Sequence, residues 1–310
     1  MSLARISHRL VSGKPLVLDS DAGAAFRARG VTLDTPGALG LLLRQRPLDV
    51  LRHHQAEAQS LVDVTCALTA DTTPRALAEV GMQHRAAMLT GLAVELAQEA
   101  AAKAMRPVAV AGVLGSDMVG PIAADRLHEE MKEHAARVAM AGVDLMVARG
   151  QGSRLGLMAA VVAAAGTDLP TWAVIECGKH GDVGADDPLA PLARALQEAG
   201  ASAILFEVPS VGAGVSQLQK LTDPPEGCVL GVLLASSAES VRGFPDQAAN
   251  PVAWADHALE LDACGARIIG GGAGTTEAHT AALAQALGAL HPSLPATRSD
   301  TEIDRRPPTD

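Results

Sequence analysis

Apolar and polar residues follow each other in a repeating order, in which an amphipathic stretch leads into a short apolar run. Four of the apolar runs begin just after an Ala-Gly or Cys-Gly pair, within the segments 141–147, 165–175, 199–207 and 264–271. Glycine suits the left-handed residue that ends a helix, and a continuous apolar run indicates a strand covered on both faces. The pattern therefore predicts helices that alternate with buried parallel strands.

Four further apolar runs, at 15–19, 61–66, 107–112 and 229–235, bring the number of predicted strands to eight. Eight strand–helix units in a chain of 310 residues predict a (β/α)8 TIM barrel. A doubly wound open sheet is the main alternative.

Helix ends and domain limits are also visible in the pattern. Asp125 is a candidate N-cap for a stretch that places Leu127 and Met131 on one face. Asn250 and Pro251 provide a cap and a first-turn proline for a helix that follows them. We expect a single barrel over residues 1–290, and a surface or disordered tail over 291–310, which is rich in Pro, Thr and charge.

Composition limits the partners. The net charge is -10 without a block of Lys or Arg, which argues against nucleic acid and anionic membranes. No apolar run approaches the about 20 residues of a membrane span. The cysteines are widely scattered without a CxxC pair, which favours a reducing cytoplasm. The sequence predicts a cytoplasmic protein with a small-molecule substrate, and it is compatible with a homo-oligomer.

Polar residues stand where the predicted strands end, which is the end that carries the active site in such barrels. The candidate catalytic residues are Glu207, Glu176 and Asp19, and the candidate substrate-binding residues on the same strand ends are Asp21, Cys66 and Arg149. An arginine among carboxylates suits a zwitterion or a cationic sulfonium or ammonium group. The same set can instead form a salt-bridge network in an unused pocket, and three carboxylates can hold Mg²⁺ or Mn²⁺.

The segment IIGGGAGTTEAHTAA, residues 268–282, predicts a short strand, a glycine turn and a helix that begins at Thr275 or Thr276. Gly271, Gly272 and Thr275 are therefore further candidates for substrate binding. Exposed amides at the start of such a helix can also hold a phosphate, which would imply an enzyme of another class.

This segment resembles the signature GG-CC-G-T-T-P-x-H of the homocysteine S-methyltransferase family. LDSDAGAAFRARG, residues 18–30, is similar to the family's first-strand motif, and the resemblance covers residues 14–290. It implies a TIM barrel in which three cysteines bind a zinc ion that activates a thiol substrate.

The three positions that match those cysteines hold Val208, Gly272 and Ala273, whose side chains cannot bind zinc. Zinc is therefore not expected, no other cofactor is indicated, and a thiol would keep a pKa of about 8.5. Arg149 stands where the family holds the substrate amino group with a glutamate, which predicts weak homocysteine binding and a ligand with an anion near that strand. Glu207 replaces the family's asparagine.

The sequence thus predicts a divergent methyltransferase-like barrel that transfers a methyl or one-carbon group without zinc. The alternatives are a non-catalytic barrel that binds a small molecule, and a barrel enzyme of another class that holds a phosphate on the final glycine loop.

Overall fold

The computed structural model describes residues 2–115, 122–150, 153–177, 189–221, 223–236 and 250–290. Within them, parallel strands form a closed barrel in chain order. The strands are β1 (Leu16–Leu18), β2 (Val64–Ala67), β3 (Ala109–Gly115), β4 (Leu145–Arg149), β5 (Thr171–Glu176), β6 (Ala201–Val208), β7 (Val229–Leu234) and β8 (Ile268–Gly271). The barrel closes where Leu16 pairs with Ile268, so the TIM barrel is confirmed and the open sheet is wrong. The predicted tail lies outside the described residues.

Helices precede and follow the strands and form the outer layer. In the described part of the chain they are α1 (Ser2–Val11), α2 (Ala22–Ala28), α3 (Ala38–Gln45), α4 (Pro47–Gln59), α5 (Pro74–Ala78), α6 (Ala86–Ala102), α7 (Ala124–Met140), α8 (Arg154–Ala165), α9 (Leu189–Glu198), α10 (Val211–Lys220), α11 (Pro251–Ala263) and α12 (Glu277–Leu290). None of these helices is long and apolar enough to cross a bilayer.

Alternate strand residues fill the inside of the barrel, because successive side chains of a strand point to opposite faces. This interior cluster contains Leu16, Leu18, Val64, Ala109, Ala111, Leu145, Val147, Trp172, Val174, Ala203, Leu205, Leu233 and Ile268. The intervening residues face the helices and form the larger core, in which Phe206 and Val208 of β6 are fully buried. Burial on both faces explains why the strands are continuous apolar runs.

Helix α1 closes the end of the barrel at which the strands begin. Its apolar residues Leu3, Ile6 and Leu10 lie on one face and pack against the interior cluster. This helix was not predicted, although Leu3, Ile6 and Leu10 are spaced as on one face of a helix.

Helix capping is partly as expected. The Asn250 side chain accepts the backbone N–H of Val252 at 2.9 Å and caps α11, as predicted. The prediction that Asp125 caps α7 is wrong. That helix begins at Ala124, so Asp125 lies in its first turn, where its negative charge meets the positive end of the helix dipole.

Candidate functional site

An arginine and two glutamates meet at the mouth of the barrel, where three neighbouring strands end. Arg149 is the last residue of β4, Glu176 the last of β5, and Glu207 lies opposite Glu176 on β6. The Arg149 guanidinium lies 3.4 Å from Glu176 Oε1 and donates a short hydrogen bond to Glu207. Strand register thus brings together three of the residues that the sequence singled out.

The charges of this cluster do not balance. Burial alone disfavours the charged guanidinium, but Glu207 and Glu176 outweigh it and raise the pKa of Arg149 above its usual value. Among the residues that the structure describes, two carboxylates face one guanidinium, which leaves an excess of negative charge. Glu176 Oε2 is buried and has no hydrogen-bond partner among the described residues. The anions near Arg149 are therefore the protein's own, and the expectation of a ligand anion at this strand end loses its basis.

Asp19, directly after β1, binds the neighbouring strand β2. Its Oδ2 accepts the backbone N–H of Cys66 at 2.5 Å and the hydroxyl of Thr65 at 2.9 Å. Burial raises the pKa of Asp19 in spite of these bonds. Burial and the adjacent Asp19 also raise the pKa of the Cys66 thiol well above its usual value, so Cys66 is not a thiolate at neutral pH.

The final glycine loop is tied to the first strand by Asp21. One carboxylate oxygen of Asp21 caps α2 by accepting the N–H of Ala24 at 3.1 Å, and the other accepts the N–H of Gly274 at 3.1 Å. Thr275 is fully buried, and its hydroxyl donates to the carbonyl of Gly272 at 2.7 Å. Helix α12 begins after this loop at Glu277, two residues later than the earlier predicted start.

Most amides of the loop have acceptors within the protein. Gly271 N–H donates to the carbonyl of Asp19 and Gly272 N–H to that of Leu234. Further along, Gly274 N–H donates to Asp21, and Thr276 N–H donates to His279 Nδ1 at 3.2 Å. Because Asp21 already supplies a carboxylate at this turn, the geometry argues against a phosphate there.

The three positions that match the zinc cysteines do not form a metal site. The Val208 side chain packs in the core between the barrel and the helices, on the face of β6 opposite to Glu207. A Cβ on Gly272 would lie 3.0 Å from backbone atoms of Ala235 and Leu233, so a side chain there would be tightly packed against the backbone. Within the described ranges, no group of three or more His, Cys, Asp or Glu side chains has an arrangement that could hold a metal ion. The residues present do not fit zinc.

A buried polar network behind β1 was not predicted. Glu57 and His53 of α4 are both fully buried. Glu57 Oε1 accepts the N–H of Ser20 at 3.2 Å, and His53 Nδ1 lies 2.6 Å from Glu277 Oε1. Burial and the charge of Asp19 raise the pKa of Glu57 to about 7. The sequence does contain a sign of this network, because His53 and Glu57 lie on the same face of α4 as the apolar Val50, and that face would be expected to be buried.

A closed (β/α)8 barrel with its charged cluster at the carboxyl ends of the strands defines the class of protein. Within that class the chain belongs to the homocysteine S-methyltransferase family, because the model of the family Homocysteine S-methyltransferase matches residues 16–287. This confirms the resemblance drawn from the motifs. No curated protein matches the chain.

Solved structures share the fold. The metallated form of the homocysteine methyltransferase MmuM from Escherichia coli is 20% identical with a TM-score of 0.72, over 88% of this chain and 96% of that one. The apo form is 18% identical with a TM-score of 0.68, over 88% and 96%. A type I 3-dehydroquinate dehydratase from Clostridium difficile is 11% identical with a TM-score of 0.51, over 90% and 93%. At these identities the likeness shows the fold alone.

Proposed function

We propose that the protein transfers a methyl or related one-carbon group from a cationic sulfonium or ammonium donor to a small polar acceptor, without zinc. Family membership supports methyl transfer in general. The observation that carries the rest is the mouth cluster: among the described residues, Glu176 and Glu207 outnumber Arg149, and one buried oxygen of Glu176 has no donor. A cationic ligand supplies the missing charge. The cytoplasmic location that the cysteine spacing predicts is part of the same proposal.

The chain's own carboxylates fit the proton transfer that such a reaction needs. The acceptor atom forms a bond to the methyl carbon while the carbon–sulfur or carbon–nitrogen bond of the donor breaks, and the leaving group keeps the electron pair. The acceptor's proton passes to a carboxylate, for which we propose Glu207, Glu176 or Asp19. Each of these side chains is almost fully buried, so its charge acts on a bound cation with little screening by water.

Calorimetric titration with the trimethylsulfonium ion tests the cation site, with neutral dimethyl sulfone as the reference ligand. We expect the wild-type protein to bind the cation in preference to the sulfone. Glu207→Gln should weaken cation binding by about tenfold or more, with almost no change in thermal stability. Glu133→Gln, which removes an exposed glutamate on α7, is the matched control for the loss of one negative charge.

The second candidate is a barrel that binds a small molecule without catalysing a reaction. The closed ion pair between Arg149 and the nearly buried Glu207 favours it. In that case Glu207→Gln should lower the melting temperature, because it leaves the Arg149 charge partly buried with one partner fewer, and it should leave ligand binding unchanged. Equal binding of the sulfonium ion and the sulfone would contradict the proposed cation site.

A further inference from the structure

Three arginines surround one carboxylate at the end of the barrel opposite to the mouth. Asp63 stands directly before β2, and its side chain is only 1% exposed. Its Oδ1 lies 3.3 Å from Arg5 Nη2, 3.6 Å from Arg9 Nη1 and 3.6 Å from Arg106 Nη2. Its Oδ2 accepts the backbone N–H of Val17 at 2.9 Å, so this oxygen is already used.

This basic cluster, defined by Arg5, Arg9, Arg106 and Asp63, has an excess of positive charge. In the described part of the chain, three guanidinium groups face one carboxylate here, although the whole chain carries a net charge of -10. Burial, together with repulsion from Arg5 and Arg9, outweighs the attraction of Asp63 and lowers the pKa of Arg106 to about 10. Arg106 therefore stays protonated at neutral pH, and the positive charge is held in place.

The arginines also have hydrogen-bond donors to spare. The Nε of each of the three is buried, and in the described part of the chain none of these atoms has a partner. A guanidinium offers five N–H donors, more than one shared carboxylate can accept. Arg9 also donates to the carbonyl of Pro15. The three side chains are 28%, 18% and 23% exposed, so part of each is open to a small ligand from solvent, although its Nε is not.

We propose that this basic cluster binds a dianionic phosphoryl group, either inorganic phosphate or the phosphate of a small phosphomonoester. Guanidinium groups bind phosphate oxygens through paired N–H donors, and a dianion matches two uncompensated positive charges. Arg5 and Arg9 lie one turn apart on α1, whereas Arg106 precedes β3. A bound phosphate therefore links α1 to the body of the barrel, far from the mouth cluster.

Calorimetry and thermal unfolding with inorganic phosphate test the proposal, at about pH 8 and with chloride used to hold the ionic strength constant. The wild-type protein should bind phosphate and unfold at a higher temperature in its presence. Arg106→Gln should weaken phosphate binding about tenfold or more. Asp63→Asn should act in the opposite direction and strengthen binding several-fold, because it removes the internal competitor for the guanidinium groups. Arg52→Gln, at an exposed arginine of α4, is the control.

A purely structural cluster gives different results. It predicts no phosphate binding by the wild-type protein beyond the effect of chloride, and an Asp63→Asn variant that is only less stable. Either result overturns the proposal, and so does an Arg106→Gln variant with unchanged affinity. If one variant fails to fold, the other still decides, because the two shifts have opposite signs. Parallel titration with glycerol 3-phosphate separates the sources: clearly tighter binding than inorganic phosphate indicates a phosphomonoester, and equal or weaker binding indicates free phosphate.

Discussion

Buried carboxylates around β1 show how burial, rather than residue type, decides which groups change charge near neutral pH. Glu57 and Glu277 both interact with His53. Glu57 has a pKa of about 7 because burial and Asp19 disfavour its charge. Burial also disfavours the charge of Glu277, but His53 and Arg29 outweigh it and lower the pKa of Glu277 to about 2. Two glutamates in one network therefore differ in charge under the same conditions.

The raised pKa of Glu57 predicts a pH-dependent stability. An acid with a raised pKa in the folded state keeps its proton up to a higher pH there than in the unfolded chain. Its contribution to the free energy of unfolding is therefore complete below the unfolded pKa of about 4.5 and is lost as pH rises towards 7. Glu57→Gln should remove this loss. The difference in unfolding free energy between variant and wild type should rise with pH across this window, by up to about 1.4 kcal/mol per pH unit.

Urea unfolding at several pH values measures this difference. Glu99→Gln controls for the substitution at an exposed site of α6. A difference between Glu57→Gln and wild type that stays constant from pH 4.5 to 7 would mean that Glu57 titrates alike in the folded and unfolded chain.

Among the elements, the loop between β8 and α12, which contains Gly272, packs closely against the backbone at the end of β7. A side chain at Gly272 would meet the backbone between β7 and the following loop, which cannot move aside as a flexible side chain can. Gly272→Ala should therefore lower the free energy of unfolding by about 1–3 kcal/mol. Gly212→Ala, in the first turns of α10 with open space around it, should be neutral or slightly stabilising. Equal effects in urea unfolding would contradict the close packing of the loop.

Asp21 predicts a second effect on the same elements, because it both caps α2 and holds Gly274. Asp21→Ala should cost more stability than Asn250→Ala, which removes only the cap of α11 and should cost about 1 kcal/mol. Thermal or urea unfolding of both variants compares them. An Asp21→Ala variant as stable as Asn250→Ala would show that the bond to Gly274 contributes nothing.

The strands could be predicted from the sequence, because burial on both faces makes each of them a continuous apolar run. The meeting of Arg149, Glu176 and Glu207 followed from the same prediction, since neighbouring parallel strands end at one rim. The direction of the Val208 side chain did not follow from the motif, because a matched position does not tell which face of a strand it occupies. The polar network of Glu57 was missed because it depends on which helix covers β1, a contact between distant segments.

At the scale of the molecule, the described barrel has two charged ends of opposite sign. The mouth cluster has more carboxylates than cations, whereas the basic cluster at the other end has more cations than carboxylates. The two clusters are separated by the packed interior of the barrel. We therefore expect cationic and anionic ligands to bind at opposite ends, each without a large effect on the affinity for the other.

The mouth cluster also predicts weak homocysteine binding. Arg149 occupies the position at which the family resemblance places an amine-binding glutamate, so a guanidinium meets the substrate amino group there. The positions that match the zinc cysteines hold Val208, Gly272 and Ala273, which offer no ligand for a metal that would hold the thiol. Calorimetric titration should detect weak binding or none. Tight homocysteine binding that is unchanged in Arg149→Ala would contradict this role of the arginine.

We expect this family member to act without zinc, and metal analysis combined with a binding measurement tests that expectation. Val208 faces the outer core, and glycine and alanine at positions 272 and 273 carry no side-chain donor atom, so the family's cysteine positions offer no side-chain ligands. The purified protein should hold far less than about one zinc ion per chain, and treatment with a chelator should leave trimethylsulfonium binding unchanged. The opposite result would be about one zinc ion per chain, loss of trimethylsulfonium binding when the chelator removes the zinc, and recovery of binding when zinc is added back. That result would contradict a zinc-free site.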